Sequence, residues 1–143
     1  MAIHRGKAIW EGDLKQGQGR VMLPDSDVSL PYSAAARFED GDGTSPEALI
    51  GAAHAGCFSM ALAKMLGDAG HAPAQLHTDA EVTIEKRGAG FAITSIELRC
   101  SARVPDIAEE EFGKIAHEAK ENCPVSQLVQ GGTTIELELD LAN

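Results

Sequence analysis

The chain reads as an α+β protein, on three observations. Alternating apolar and polar segments come in hairpin groups, before residue 40 and after residue 75, instead of trading places one for one with helices. One stretch, Thr44 to Gly67, carries no full charge between Glu47 and Lys64 and is apolar on every side, as a buried central helix would be. No G-x-G-x-x-G follows a strand and no P-loop is present, which disfavours a doubly wound nucleotide fold. The expected architecture is a set of antiparallel β-sheets around the central helix, in the order β-β-β-α-β-β-α-α-β.

Residues Ile3 to Gly12 are expected to form a strand, followed by turn chemistry at Gly12-Asp13. Gly17 and Gly19 bracket the start of a second strand, Arg20 to Leu23, and Pro24-Asp25-Ser26-Asp27 turns the chain. A third strand is read from Leu30 to Glu39, with Pro31 at its edge and Arg37 near its end. Asp40-Gly41-Asp42-Gly43 then breaks the chain. Thr44 or Ser45 can cap the central helix, Pro46 fits its first turn, and Glu47 suits the positive end of its dipole. Gly67 and Gly70 are stop signals.

Beyond the helix, Leu76, Thr78, Ala80, Val82 and Ile84 alternate with polar residues, so this strand has one wet face. Lys86 to Gly90 reads as a hairpin loop, and the return strand places Ile96, Leu98, Cys100, Ala102 and Val104 on its apolar side. Asp106 can cap a helix with apolar positions at Ala108, Phe112, Ile115, Ala116 and Ala119, and Cys123 continues the stripe. Pro124 ends that helix and can open another, Val125 to Gln130, with Cys123 at its cap position. A last strand alternates Ile135, Leu137, Leu139 and Leu141 with acids.

With 143 residues the chain suits one domain, 1–143, or two intimately packed lobes. A net charge of −10 without any Lys/Arg cluster argues against nucleic-acid binding. The N-terminal residues lack a secretory apolar run, and the central helix, rich in Gly, Ser and His, makes a poor membrane span, so a cytoplasmic location is expected. Three widely spaced cysteines, Cys57, Cys100 and Cys123, do not make a secreted disulfide framework; a bridge in a reducing cytosol would more often be transient and catalytic.

Cys100 points to the apolar face of its strand and reads as a small core residue. Cys57 alone would read the same way, whereas Cys123 sits at a helix start, where backbone N–H groups favour a thiolate. Both lie on core-facing stripes, so their helices can pack together, but Cys123 also reads as the end of an amphipathic stripe. His54 lies one turn from Cys57 and could join it in a metal site only with Cys123, His71 or His77, at no recognisable spacing; a buried, hydrogen-bonded histidine is the better reading. Taken alone, Glu47 is a first-turn acid and Arg37 a solvated strand-end residue. They matter only if Cys57 reacts, because a guanidinium lowers a thiol pKa and a carboxylate orients the guanidinium.

The stretch P-E-A-L-I-G-A-A-H-A-G-C-F-S-M-A-L, Pro46 to Leu62, resembles the OsmC/Ohr family of organic hydroperoxide reductases, as does N-C-P-V-S, Asn122 to Ser126. The opening Ala8 to Gly19 and R-F-E at Arg37 to Glu39 resemble the OsmC branch. The resemblance implies a two-cysteine thiol peroxidase, an intertwined homodimer with sites at the subunit interface. By position it makes Cys57 the peroxidatic cysteine and Cys123 the resolving one, with Arg37 and Glu47 as the family's arginine and glutamate. It implies organic hydroperoxides as substrates, hydrogen peroxide less well, re-reduction by a lipoyl dithiol, and no metal, flavin or haem. Glu47 and Cys57 are separated on one helix by roughly 15 Å. Glu47 is therefore expected to act through Arg37 or at the partner's site. The all-apolar helix suggests burial against a second copy. The competing reading is a non-catalytic dimeric binder of small apolar ligands.

Overall fold

The computed structural model describes residues 1–142. Its elements are β1 (Lys7–Glu11), β2 (Gln18–Leu23), β3 (Val28–Tyr32), α1 (Ala34–Phe38), α2 (Pro46–Asp68), β4 (Gln75–Arg87), β5 (Gly90–Arg103), α3 (Glu109–Asn122), α4 (Pro124–Val129) and β6 (Thr134–Ala142), with a single 3-10 turn at Pro24–Ser26. The chain divides into two compact units, residues 1–49 and residues from Ile50 onward.

In the first unit β1, β2 and β3 form an antiparallel meander. The first strand is shorter than expected, because pairing to β2 runs only from Lys7↔Met22 to Glu11↔Gln18. The third strand stops at Tyr32 instead of Glu39. Ser33 adopts an extended cap conformation and its Oγ accepts the Ala36 N–H at 3.1 Å, and three consecutive alanines, the best helix formers, follow it. Arg37 thus lies on a short helix, not on a strand.

Helix α2 starts as the sequence indicates. Ser45 Oγ accepts the Ala48 N–H at 3.1 Å, and Pro46 and Glu47 occupy the first turn. It ends in a Schellman arrangement: Gly70, at φ 89°, donates to the Gly67 carbonyl, and His71 donates to that of Leu66. Gly70 is thus the stop signal and Gly67 lies within the last turn. By length and composition α2 could cross a bilayer, yet Phe58, Leu62 and Leu66 are fully buried in the core of the second unit. Gly51 lets the helix approach β4, since a Cβ there would stand 3.3 Å from Val82 Cγ2. The expectation of burial all round fails within one chain: Ala52, Ala53, Gly56 and Met60 are exposed, Met60 at 77%.

The second sheet runs β4-β5-β6. β4 and β5 are antiparallel, joined by a two-residue turn, Gly88-Ala89, tighter than the expected loop. β6 lies parallel to β5, so this sheet is mixed and not purely antiparallel. The physical reason is the helical crossover through α3 and α4, which returns the chain in the same direction. Register aligns apolar rows, such as Ala80↔Leu98↔Leu137 and Thr78↔Cys100↔Leu139, on the core side. On the wet side Arg99 pairs with Glu81, Glu97 and Glu138. Asp106 does not cap α3. It takes a left-handed conformation (φ 62°) that lets Ile107 bury, and the helix starts at Glu109, with three glutamates in its first turn facing the positive dipole end. Phe112, Ala116, Ala119 and Cys123 are buried along the expected stripe.

Candidate active site

Cys57, on the middle of α2, is a half-buried free thiol. Cys123, between α3 and α4, is a free thiol that is 1% exposed. The fold brings these two side chains together: the Cys57 thiol lies within interaction range of the Cys123 thiol and of the Val125 N–H. Burial pushes the Cys57 thiol up from its ordinary value of 9.0; the Val125 N–H works against this and the Cys123 thiol adds to it. Its surroundings in the second unit therefore favour thiol over thiolate, and a nucleophilic role requires a further cation.

Cys123 is the cap residue of α4, as its position before Pro124 indicates. Its Sγ accepts the Ser126 N–H at 3.4 Å and lies 3.0 Å from Ser126 Oγ. Ser126 Oγ in turn lies 2.8 Å from Nε2 of His54, which is 0% exposed. Burial lowers the His54 pKa from 6.5, so the ring is neutral near pH 7. His54 is thus the buried, hydrogen-bonded histidine expected from the sequence.

In the first unit Arg37 and Glu47 form a forked ion pair. Arg37 Nε donates to both carboxylate oxygens, at 3.0 and 3.2 Å, and Nη2 donates to Oε1 at 2.7 Å. Glu47 is only 6% exposed, so its charge is compensated by the fork and by the N-terminal turn of α2. Arg37 also stands over the Phe38 ring, 5.2 Å from its centroid. A cavity of about 300 Å³ opens beside Arg37, walled by Trp10, Leu14, Tyr32, Ala34 and Pro46.

Two neighbouring thiols, one of them capping a helix, are the groups that a dithiol–disulfide couple needs. A family model described as OsmC-like protein matches residues 39–138. The chain belongs to the OsmC family. Its relatives include Peroxiredoxin OsmC of Escherichia coli (strain K12), 48% identical over 141 residues, which cover 97% of this chain and 99% of that protein. An Organic hydroperoxide resistance protein of Xanthomonas axonopodis pv. citri (strain 306) is 33% identical over 125 residues, covering 85% of this chain and 86% of that protein. In fold the chain is similar to the Organic Hydroperoxide Resistance Protein OhrB of Bacillus subtilis. The TM-score is 0.73 at 24% identity, over 97% of this chain and 100% of that one. The α+β, OsmC/Ohr-like fold expected from the sequence is thereby borne out.

Within this OsmC fold Cys100 is separate from the cysteine pair. It is buried on β5, and burial raises its pKa while the Thr78 hydroxyl opposes the rise. Among the described residues no three His, Cys, Asp or Glu side chains converge to hold a metal ion. Ser126 is the residue that sequence reasoning passed over. The signal was present: a serine three residues after a cap cysteine falls where its N–H meets the cap side chain.

Proposed function

We propose that the chain is a single OsmC domain that reduces organic hydroperoxides to alcohols, and hydrogen peroxide less well, through Cys57, Cys123, Arg37 and Glu47. The proximity of the Cys57 and Cys123 thiols carries this reading. Its relatives' names, peroxiredoxin and organic hydroperoxide resistance protein, agree with it. The Cys57 thiolate attacks the O–O bond; the sulfur gains OH as sulfenic acid and the alkoxide leaves as alcohol, taking the thiol's proton. Cys123 then attacks that sulfur, the S–S bond forms and water leaves. An external dithiol, for which a lipoylated protein is the expected donor, restores both thiols by exchange.

Arg37, aimed by Glu47, supplies the cation that the half-buried Cys57 lacks among its immediate neighbours. The apolar cavity beside Arg37 supports a substrate with an apolar body. The exposed Ala52, Ala53, Gly56 and Met60 on α2 support a homodimer. No metal, flavin or haem takes part in this scheme, and a transient disulfide suits a reducing cytoplasm. The experiment is direct: add cumene hydroperoxide to the reduced protein and count thiols. Rapid loss of two of the three thiols per chain is expected, and none in Cys57→Ser. An unchanged thiol count in the native protein would end the peroxidase reading.

A further inference from the structure

Among the described residues of the second unit, the fully buried polar side chains His54 and Ser126 form one chain that ends on Cys123. His54 is fully buried, and its Nδ1 has no hydrogen-bond partner among the described residues. A buried N–H without an acceptor costs more, and is rarer, than a lone pair without a donor. The ring proton therefore belongs on Nε2, which donates to Ser126 Oγ at 2.8 Å. That leaves the serine O–H to donate to Cys123 Sγ at 3.0 Å, alongside the Ser126 N–H at 3.4 Å. The sulfur thus receives two donors from one residue. A cysteine needed only for packing requires neither, and burying an imidazole and a hydroxyl for no return is costly.

We propose that His54 and Ser126 are positioning residues for Cys123, a donor chain that stabilises its thiolate both as it attacks the Cys57 sulfenic acid and as it leaves during re-reduction. The proposal rests on the peroxidase reading above. In the first step the Cys123 sulfur forms the S–S bond and the S–O bond breaks. The departing hydroxide takes up the proton that Cys123 released, giving water. In the second, a dithiol thiolate attacks the Cys57 sulfur and Cys123 departs as thiolate. The chain serves both because negative charge gathers on the same sulfur each time.

The titratable groups around this sulfur are few. Cys57 and His54 face it from α2, and Cys100 shares the core from β5. Lys120 and Glu121 of α3, 3.1 Å apart, border a small crevice that reaches Ser126.

The test uses single-turnover kinetics. Reduced protein is mixed with one equivalent of cumene hydroperoxide and quenched over time. Mass spectrometry then separates Cys57 sulfenic acid, trapped with dimedone, from the disulfide. In Ser126→Ala, which keeps the backbone N–H, disulfide closure should slow about tenfold, the effect of one hydrogen bond to a charged group. Sulfenic acid should accumulate, and the pH at which closure is half-maximal should move upward. His54→Leu should behave alike, while His54→Gln, whose amide can still donate to Ser126, should recover most of the rate. Closure at the native rate and pH profile in Ser126→Ala overturns the proposal. If that variant does not fold, equal rates in His54→Leu and His54→Gln overturn it. Absence of thiol loss in the native protein would instead strike the peroxidase reading itself.

Discussion

The first unit holds its chemistry as a pair of full charges and the second holds its chemistry as a chain of neutral groups. Arg37 and Glu47 meet through a fork of three hydrogen bonds, anchored at a helix start, between residues ten apart in sequence. Cys57, Cys123, Ser126 and His54 meet across a core, the His54–Ser126 bond joining residues 72 apart. The charged pair is stabilised by partner and dipole, and tolerates partial exposure. The neutral chain is uncharged because burial opposes charge on both Cys57 and His54. The difference teaches two ways of holding polar groups: the first unit keeps a permanent charge pair at a helix start, and the second keeps its sulfurs among neutral groups, where burial favours the thiol.

That division can be broken at its centre. Cys123→Ser should abolish disulfide formation outright, so that one thiol per chain, not two, is consumed by peroxide. Dimedone labelling of Cys57 measures this, and an internal disulfide persisting in the variant would contradict the assigned pair. Arg37→Lys keeps the charge and loses the fork. The expected result is a ~10–100-fold slower oxidation of Cys57, from the loss of charge-assisted hydrogen bonds. Its pH profile should also shift alkaline. The sign follows from the thiol: burial raises its pKa, so thiolate, and with it rate, grows as pH rises toward that value, and a guanidinium aimed by the fork brings the rise to lower pH, an effect that an unaimed ammonium loses. A native rate and profile in Arg37→Lys would remove Arg37 from the scheme.

A smaller effect concerns stability. The His54 pKa lies below 6.5, so an unfolded chain takes up a proton in the interval where the folded chain refuses it. This contribution is fully present above about pH 6.5 and is lost as pH falls through the lowered value. Urea midpoints at pH 7.5 and pH 5 should therefore differ less in His54→Gln than in the native protein; equal differences would show that burial of the ring costs nothing on protonation. The smallest effect is expected at Cys100, outside the pair. Cys100→Ala should leave two thiols consumed by peroxide and cost about 1 kcal/mol of stability from lost core contacts. A lost disulfide in that variant would place Cys100 in the redox chemistry after all.

Much of this could be read without coordinates. The Ser45-Pro46-Glu47 start of α2, the alternation of β4 to β6 and the cap position of Cys123 all follow from residues within one turn or one strand of each other. Local reading failed where local signals competed. At Arg37 the extended run before it competes with Ser33 and the alanines after it, which start a helix. Asp106 resembled a cap, but burial of Ile107 took precedence.

Sequence by itself determined the class, the start of α2, the cap of α4 and the candidate sulfurs, because periodicity and capping act over a few residues. Only the tertiary structure decided that Cys57 neighbours Cys123, that Ser126 bridges Cys123 to His54, that β6 runs parallel to β5, and that one face of α2 stays exposed. Those outcomes depend on how distant surfaces share one core, where packing and desolvation act between residues that no local pattern links.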